Sequence, residues 1–167
     1  VSDYGAYMLI IGLAETLLQV ASLGILPVGQ RYLPVMLTTL PVHRLSRFVG
    51  MLVSAQLIVL VLCALLIWQF WPAITSVMGF DQEQSQATQT AACLFLLIPA
   101  FRFSVELLDA LLEQGRAQIA RALMPLARLA GLGLLVYFNE IGLANILWVD
   151  ICVTLLCLLL SWRFLVT

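Results

Sequence analysis

The chain has 167 residues, of which 63% are hydrophobic and 10% charged, with a net charge of -1 and a mean hydropathy of +1.07. Soluble domains carry about 25% charged residues, and a soluble fold of this size has too little interior to bury so much apolar surface. The composition therefore excludes a soluble globular protein and makes membrane lipid the expected partner. The arginines are scattered, which excludes a basic surface for nucleic acid.

Five segments are long and apolar enough to be transmembrane helices, which need about 20 mostly apolar residues. In chain order, the predicted spans a to e cover about residues 6–27, 48–71, 90–112, 117–138 and 141–163. The predicted connections are 28–47, 72–89, 113–116 and 139–140. Their short lengths make consecutive spans antiparallel neighbours. The predicted fold is all-α, a polytopic membrane helix bundle in a single region 1–167.

The arginines predict how the spans are oriented. If the spans alternate in direction, one side of the membrane carries Arg31, Arg44, Arg47, Arg116, Arg121 and Arg163. The other side carries acids and no arginine: Asp3, Asp81, Glu83 and Glu140. Because basic residues accumulate on the cytoplasmic side, the first residues are expected outside and the last residues in the cytoplasm.

Several ionisable side chains are predicted to lie inside the spans. They are Glu15 in span a, Arg102, Glu106 and Asp109 in span c, Arg128 in span d and Asp150 in span e. Each costs at least about 2.5 kcal/mol at the centre of a bilayer. Lipid cannot solvate them, so they are expected to point into the bundle or into a water-filled cavity.

Helical spacing collects these polar residues into stripes. At about 100° per residue, an arc of roughly 80° on span c holds Arg102, Glu106, Asp109, Glu113 and Arg116. Shorter stripes are formed by Glu15, Gln19 and Ser22 on span a, by Arg121 and Arg128 on span d, and by Asp150, Thr154, Cys157 and Ser161 on span e. Span b has no such stripe and is expected to face lipid.

Two interpretations of the stripes remain open. In the first, Arg102 pairs with Glu106 one turn away and Arg128 pairs with Glu15 or Asp150, and the pairs only lock helices together. In the second, the stripes line a polar passage and leave at least one arginine available to a ligand. The second is favoured because locking a bundle needs fewer charges than four striped helices provide.

Motifs of enzymes and cofactor sites are absent from the sequence. There is a single histidine, His43, and no phosphate-binding loop, dinucleotide fingerprint, nucleophile elbow or zinc-protease motif. The Glu106 and Asp109 pair shares its stripe with arginine, which favours an ion-paired lining over acid–base catalysis. We therefore expect no enzymatic activity, no metal and no cofactor.

The order of local motifs resembles a known transporter family. Asp3-Tyr4-Gly5-Ala6-Tyr7 opens span a, Gly24 and Gly29 precede Arg31-Tyr32-Leu33-Pro34, His43-Arg44-Leu45-Ser46-Arg47 leads into span b, and Gly115-Arg116 opens span d. This order resembles the amino-terminal half of bacterial polysaccharide-biosynthesis membrane proteins, the O-antigen and exopolysaccharide flippases. Their superfamily also holds the multidrug and toxin extrusion transporters and the lipid II flippases.

The resemblance implies twelve or more spans in two lobes around a central cavity, with spans a to e corresponding to family helices two to six. The first helix and the second lobe would then lie outside this chain, which is expected to be a fragment or a processed product. The implied activity is movement of a lipid-linked oligosaccharide from the cytoplasmic to the periplasmic leaflet of the bacterial inner membrane, by alternating access.

The physics of the stripes is compatible with that substrate. A polyprenyl pyrophosphate is anionic, and arginine offers a planar fork for phosphate oxygens. The candidate substrate-binding residues are Arg102, Arg128 and Arg31; the candidate ion-coupling or lumen-lining residues are Glu15, Gln19, Glu106, Asp109 and Asp150. The alternatives are a multidrug or cation antiporter of the same superfamily and a membrane scaffold subunit without transport activity.

Overall fold

The computed structural model describes residues 3–21, 24–39, 41–80 and 88–166. Within these ranges the regular structure is entirely helical. The helices are α1 (Asp3–Ala21), α2 (Ile25–Thr39), α3 (Val42–Met78), α4 (Leu94–Ala110), α5 (Gln114–Tyr137) and α6 (Leu143–Val166), and a short 3-10 turn, Thr90–Cys93, precedes α4. The all-α prediction is confirmed, whereas Ser22 and the polar run at 81–86 lie outside the described residues.

Helix α4 occupies the centre of the bundle and contacts each of the other five helices. Its sequence explains this position, because apolar side chains surround most of the rod and a helix that is apolar nearly all round is buried. The fully buried residues include Phe95, Val105 and Leu108. The charged residues of α4 lie on a single stripe, whereas Ser104 is buried on another face beside Ser161 of α6.

Three clusters of buried side chains show which ends of the helices pack together, and so in which direction each helix runs relative to its neighbours. The first joins the starts of α1, α4 and α6 to the end of α3, and includes Ala6, Leu147, Phe95 and Trp71. The second joins the ends of α4 and α6 to the start of α5, and the third joins the end of α4 to α2 and the start of α3. Consecutive long helices are therefore antiparallel, as their short connections predict.

Helix α2 corrects the prediction that residues 28–47 form a connection. Pro27 is the third residue of α2, inside the first turn, where a missing N–H breaks no helical hydrogen bond. Pro34 is accommodated within the helix. Gly24 has a φ of +79°, a left-handed conformation that glycine adopts without strain, and it separates α1 from α2. The two helices pack along opposite halves of α4.

Among the described residues, three helices are long and apolar enough to cross a membrane, namely α3, α5 and α6. The membrane-compatible stretches are His43–Met78, Gln114–Tyr137 and Leu143–Leu165. The surface of α3 carries exposed apolar side chains along its length, including Ile58, Leu62, Leu66 and Phe70. Those side chains agree with the predicted lipid-facing role of span b. The chain thus has the features of a membrane protein.

The connection between α4 and α5 corrects the length of the polar stripe on span c. Helix α4 ends at Ala110, and Leu112 has a φ of +65° where the chain reverses. Glu113 and Arg116 therefore belong to the start of the next helix, where they lie 3.6 Å apart. Arg116 also donates a hydrogen bond from Nη1 to the Phe164 carbonyl oxygen, 3.1 Å away. The stripe on α4 consists of Arg102, Glu106 and Asp109.

Candidate functional site: an arginine-lined cleft

A polar cleft of about 370 Å³ lies between α4 and α5. Its lining comprises Phe101, Arg102, Val105 and Glu106 from α4 and Arg121, Met124, Pro125 and Arg128 from α5. We call it the arginine cleft. Three guanidinium groups and one carboxylate thus converge on a single concave surface whose other walls are apolar.

Helical geometry accounts for this convergence. Arg121 and Arg128 are seven residues apart, which is close to two turns, so both side chains lie on the same face of α5. Arg102 and Glu106 are one turn apart on α4. The tight reversal after α4 makes α5 its antiparallel neighbour, and the two polar faces line the same cleft.

Arg128 is the most buried of the three arginines. Its Nε atom lies 2.9 Å from Oδ1 of Asp150 on α6, and the two side chains are 26% and 4% exposed. The N–H is not directed at that oxygen, so the contact is an ion pair without an aligned hydrogen bond. The second carboxylate oxygen of Asp150, Oδ2, accepts a hydrogen bond from the hydroxyl of Tyr7 on α1 at 2.7 Å.

The other two arginines have looser surroundings. Arg102 Nη2 lies 3.6 Å from Glu15 Oε1 of α1, and both side chains are more than half exposed. Arg121 pairs with Asp109 near the end of α4. Glu106, the one acid that lines the cleft, accepts a hydrogen bond from Gln30 Nε2 of α2 at 3.0 Å. Ion pairs and a hydrogen bond from α1, α2 and α6 therefore hold the polar side chains of α4 and α5 in position.

Each arginine retains donors beyond its ion pair. A guanidinium has five N–H groups, and one carboxylate uses at most two of them. Among the described residues, Nη2 of Arg128 is buried and has no hydrogen-bond partner. The acids that pair with the arginines, Glu15, Asp109 and Asp150, do not line the cleft. The cleft surface can therefore offer several N–H donors to an anion.

The predicted site residues divide into three groups. Arg102, Arg128 and Glu106 line the cleft. The partners behind the arginines are Glu15, Asp109 and Asp150. Arg31 and Gln19 are exposed and do not line it; the guanidinium carbon of Arg31 lies 5.8 Å from the centre of the neighbouring Tyr32 ring.

Two residues of the site were not among the sequence candidates. Arg121 shares the α5 face of Arg128, and the seven-residue spacing is the signal that identifies it. Tyr7 is 143 residues from Asp150, its hydrogen-bond partner, and no sequence pattern points to that contact.

Comparisons of the chain with family models, with curated proteins and with solved structures give no match.

Proposed function

We propose that this chain is part of a membrane flippase that moves a lipid-linked oligosaccharide across a bacterial inner membrane during synthesis of a cell-surface polysaccharide. The arginine cleft carries the proposal. A polyprenyl pyrophosphate combines an anionic headgroup with a hydrocarbon chain, and the cleft combines guanidinium groups with apolar walls beside α5, a helix long and apolar enough to cross a membrane. The order of local motifs, which resembles that of O-antigen and exopolysaccharide flippases, supports the same assignment.

Charge is the central argument for an anionic ligand. Three of the four ionisable groups that line the cleft are arginines, and the fourth is Glu106. Arginine binds phosphate oxygens through two parallel N–H groups, which adds directional recognition to charge attraction. At membrane depth, poor solvation strengthens such contacts and makes an unpaired guanidinium costly. A phosphate group would satisfy donors that the protein leaves unpaired.

The proposed membrane arrangement has five passages. Helices α1 and α2 together form one interrupted passage, because they run in sequence along the two halves of α4. The other passages are α3, α4 with its preceding 3-10 turn, α5 and α6. In this arrangement the arginine-rich side faces the cytoplasm and the loop between α5 and α6 faces outward.

The proposal includes a second helical lobe as a partner. Arg102 is about half exposed on the cleft rim. Leu129, the residue next to Arg128 on α5, is also exposed. A facing lobe would enclose the ligand between two polar walls, as alternating access requires.

Acids around the cleft favour one alternative function. Glu15, Asp109 and Asp150 stand behind the arginines, and Glu106 lines the cleft with them. If the negative charge of these acids outweighs the positive charge of the arginines, the electrostatic potential in the cleft is negative. The cleft would then suit a cationic drug, as in an antiporter. If the charges only lock the helices together, the chain would be a membrane scaffold subunit.

Replacement of Arg128 at the native chromosomal locus tests the proposal. Arg128→Lys retains the positive charge beside Asp150 but cannot reproduce the guanidinium fork. We expect normal abundance in the membrane and a loss of surface-polysaccharide export of about tenfold or more, the effect of removing one charge-assisted hydrogen bond. Arg128→Ala should lower abundance as well, because it leaves the buried Asp150 carboxylate without its counter-ion.

A matched control is Arg44→Lys, an exposed arginine at the start of α3, which should retain full export. Full export by Arg128→Lys at normal abundance would remove Arg128 from the binding site. Export of cationic dyes in place of polysaccharide, reduced when Glu106 is replaced by Gln, would support the antiporter.

A further inference from the structure

A chain of polar contacts connects the arginine cleft to helix α1. The Tyr7 hydroxyl donates a hydrogen bond to Asp150 Oδ2 at 2.7 Å, and Asp150 Oδ1 lies 2.9 Å from Arg128 Nε. The three residues come from α1, α6 and α5 in turn. Only the last of them reaches the cleft lining.

Asp150 is the central member of this series of contacts. Its side chain is only 4% exposed, so its two oxygens depend on protein partners for stabilisation. Tyr7 serves one oxygen and Arg128 the other. Since Tyr7 occupies Oδ2, the carboxylate cannot rotate freely to offer both oxygens to the guanidinium. The hydroxyl therefore determines which part of Arg128 the carboxylate contacts.

That restriction leaves part of the guanidinium available. Asp150 holds Arg128 from its Nε side, and Nη2 is buried without a hydrogen-bond partner in the ranges that the structure describes. A buried N–H without a partner is costly, and Arg128 lines the cleft with 26% of its side chain exposed. A small shift of the guanidinium that brings Nη2 to the cleft surface would therefore let a ligand acceptor satisfy it. By comparison, the pair of Arg102 with Glu15 is 3.6 Å long and more than half exposed, which leaves Arg102 free to reorient.

We propose that Tyr7 is a positioning residue for anion recognition: it holds Asp150 so that Arg128 presents its terminal N–H groups to a phosphate or pyrophosphate in the cleft. The inference rests on the proposed function and adds to it a residue that does not itself line the cleft. Tyr7 acts by pre-organisation, which increases affinity by reducing the ordering cost of binding.

The test uses the full-length protein that contains this chain, purified in detergent, with farnesyl diphosphate as the probe and farnesol as the matched probe without the anion. Tyr7→Phe removes only the hydroxyl. We expect it to weaken farnesyl diphosphate binding about fivefold, the scale of a lost pre-organising contact, and to leave farnesol binding unchanged. Tyr4→Phe is the control, since Tyr4 lies on the same helix and is 69% exposed.

A double substitution separates positioning from a general effect on folding. If Tyr7 acts through Arg128, Tyr7→Phe has no further effect in an Arg128→Gln background. If Tyr7 only stabilises the bundle, it weakens binding by the same factor in both backgrounds, and the inference is wrong. Should Tyr7→Phe fail to fold, Asp150→Asn takes its place in the same cycle, because it removes the carboxylate through which Tyr7 acts.

The outcomes distinguish the two proposals. Binding by the wild type with an unchanged affinity in Tyr7→Phe overturns the positioning role alone. No preference of the wild type for farnesyl diphosphate over farnesol overturns the proposed function and the positioning role together. Weakened binding in Tyr7→Phe, absent from the Arg128→Gln background, supports both.

Discussion

Gly131 of α5 lies so close to Val149 of α6 that a Cβ atom at position 131 would come within 2.5 Å of Val149 Cγ1. Such a distance is far inside van der Waals contact. The absence of a side chain at Gly131 therefore permits the close approach of the two helices. Arg128 is three residues before Gly131 and Asp150 directly follows Val149, so the same approach brings the buried ion pair together.

Gly131→Ala is expected to destabilise the bundle. The valine side chain is stiff about χ1 and cannot easily turn away, so the helices must separate. Overpacking of this kind costs about 1–3 kcal/mol. The measurement is the unfolding free energy in detergent. Gly133→Ala is the matched control, because a Cβ at Gly133 meets no atom within 4 Å among the described residues. Equal stability of the two variants would contradict the close approach.

The two ion pairs that involve Asp150 and Glu15 should differ in their effect on stability. Asp150→Ala removes the counter-ion of a largely buried arginine, and breaking a buried pair on one side costs about 3–5 kcal/mol. Glu15→Ala removes a partner 3.6 Å from Arg102, which lies at the open side of the cleft where water can solvate the guanidinium, so we expect a smaller loss, on the scale of about 0–1 kcal/mol for water-exposed pairs. Unfolding curves of both variants in detergent check the difference. A larger loss for Glu15→Ala would show that the burial pattern is wrong.

Substitutions of Arg102 and Arg31 should differ in their effect on the affinity for an anion, because only Arg102 lines the cleft. Arg102→Ala should weaken farnesyl diphosphate binding about tenfold, since it removes one charge-assisted hydrogen-bond donor from the cleft. Arg31→Ala should leave the affinity unchanged, because Arg31 lies outside the cleft lining. Titration of both purified variants measures the effect. Weaker binding by Arg31→Ala alone would place the anion on α2.

The proposed orientation predicts which loops an impermeant thiol reagent reaches in intact cells. The background lacks the native cysteines, which are Cys63, Cys93, Cys152 and Cys157. Glu140→Cys, in the exposed connection between α5 and α6, should be labelled without cell lysis. Ser46→Cys, beside the arginines at the start of α3, should be labelled only after lysis. The reverse pattern would overturn the orientation and the flippase proposal.

Periodicity was sufficient to predict the faces of the site. The spacing of Arg102 and Glu106, and that of Arg121 and Arg128, identified the two polar faces that line the cleft. The predicted stripe on span e is also buried, with Asp150, Thr154, Cys157 and Ser161 all less than 5% exposed. Because these are local properties of a helix, the sequence contains them directly.

Long-range partners were beyond what periodicity can predict. The sequence offered Glu106 as the partner of Arg102, yet the structure places Glu15 of α1 beside it. The contact of Tyr7 with Asp150 depends on how α1 packs against α6, which no local spacing encodes. The sequence does not reveal α2, because Pro34, Pro41, His43, Arg44 and Arg47 give residues 28–47 the composition of a loop, although Pro34 fits within the helix.

The length of α3 has a consequence for the surrounding lipid. Its 37 residues extend about 55 Å, whereas the hydrocarbon core of a bilayer is about 30 Å thick. Each of the 24-residue helices α5 and α6 is only about 36 Å long. The surplus of α3 must tilt or protrude, and Arg44 and Arg47 at its first turns favour protrusion into the headgroups. The number of α3 turns embedded in lipid can then follow membrane thickness, which gives the bundle tolerance to hydrophobic mismatch.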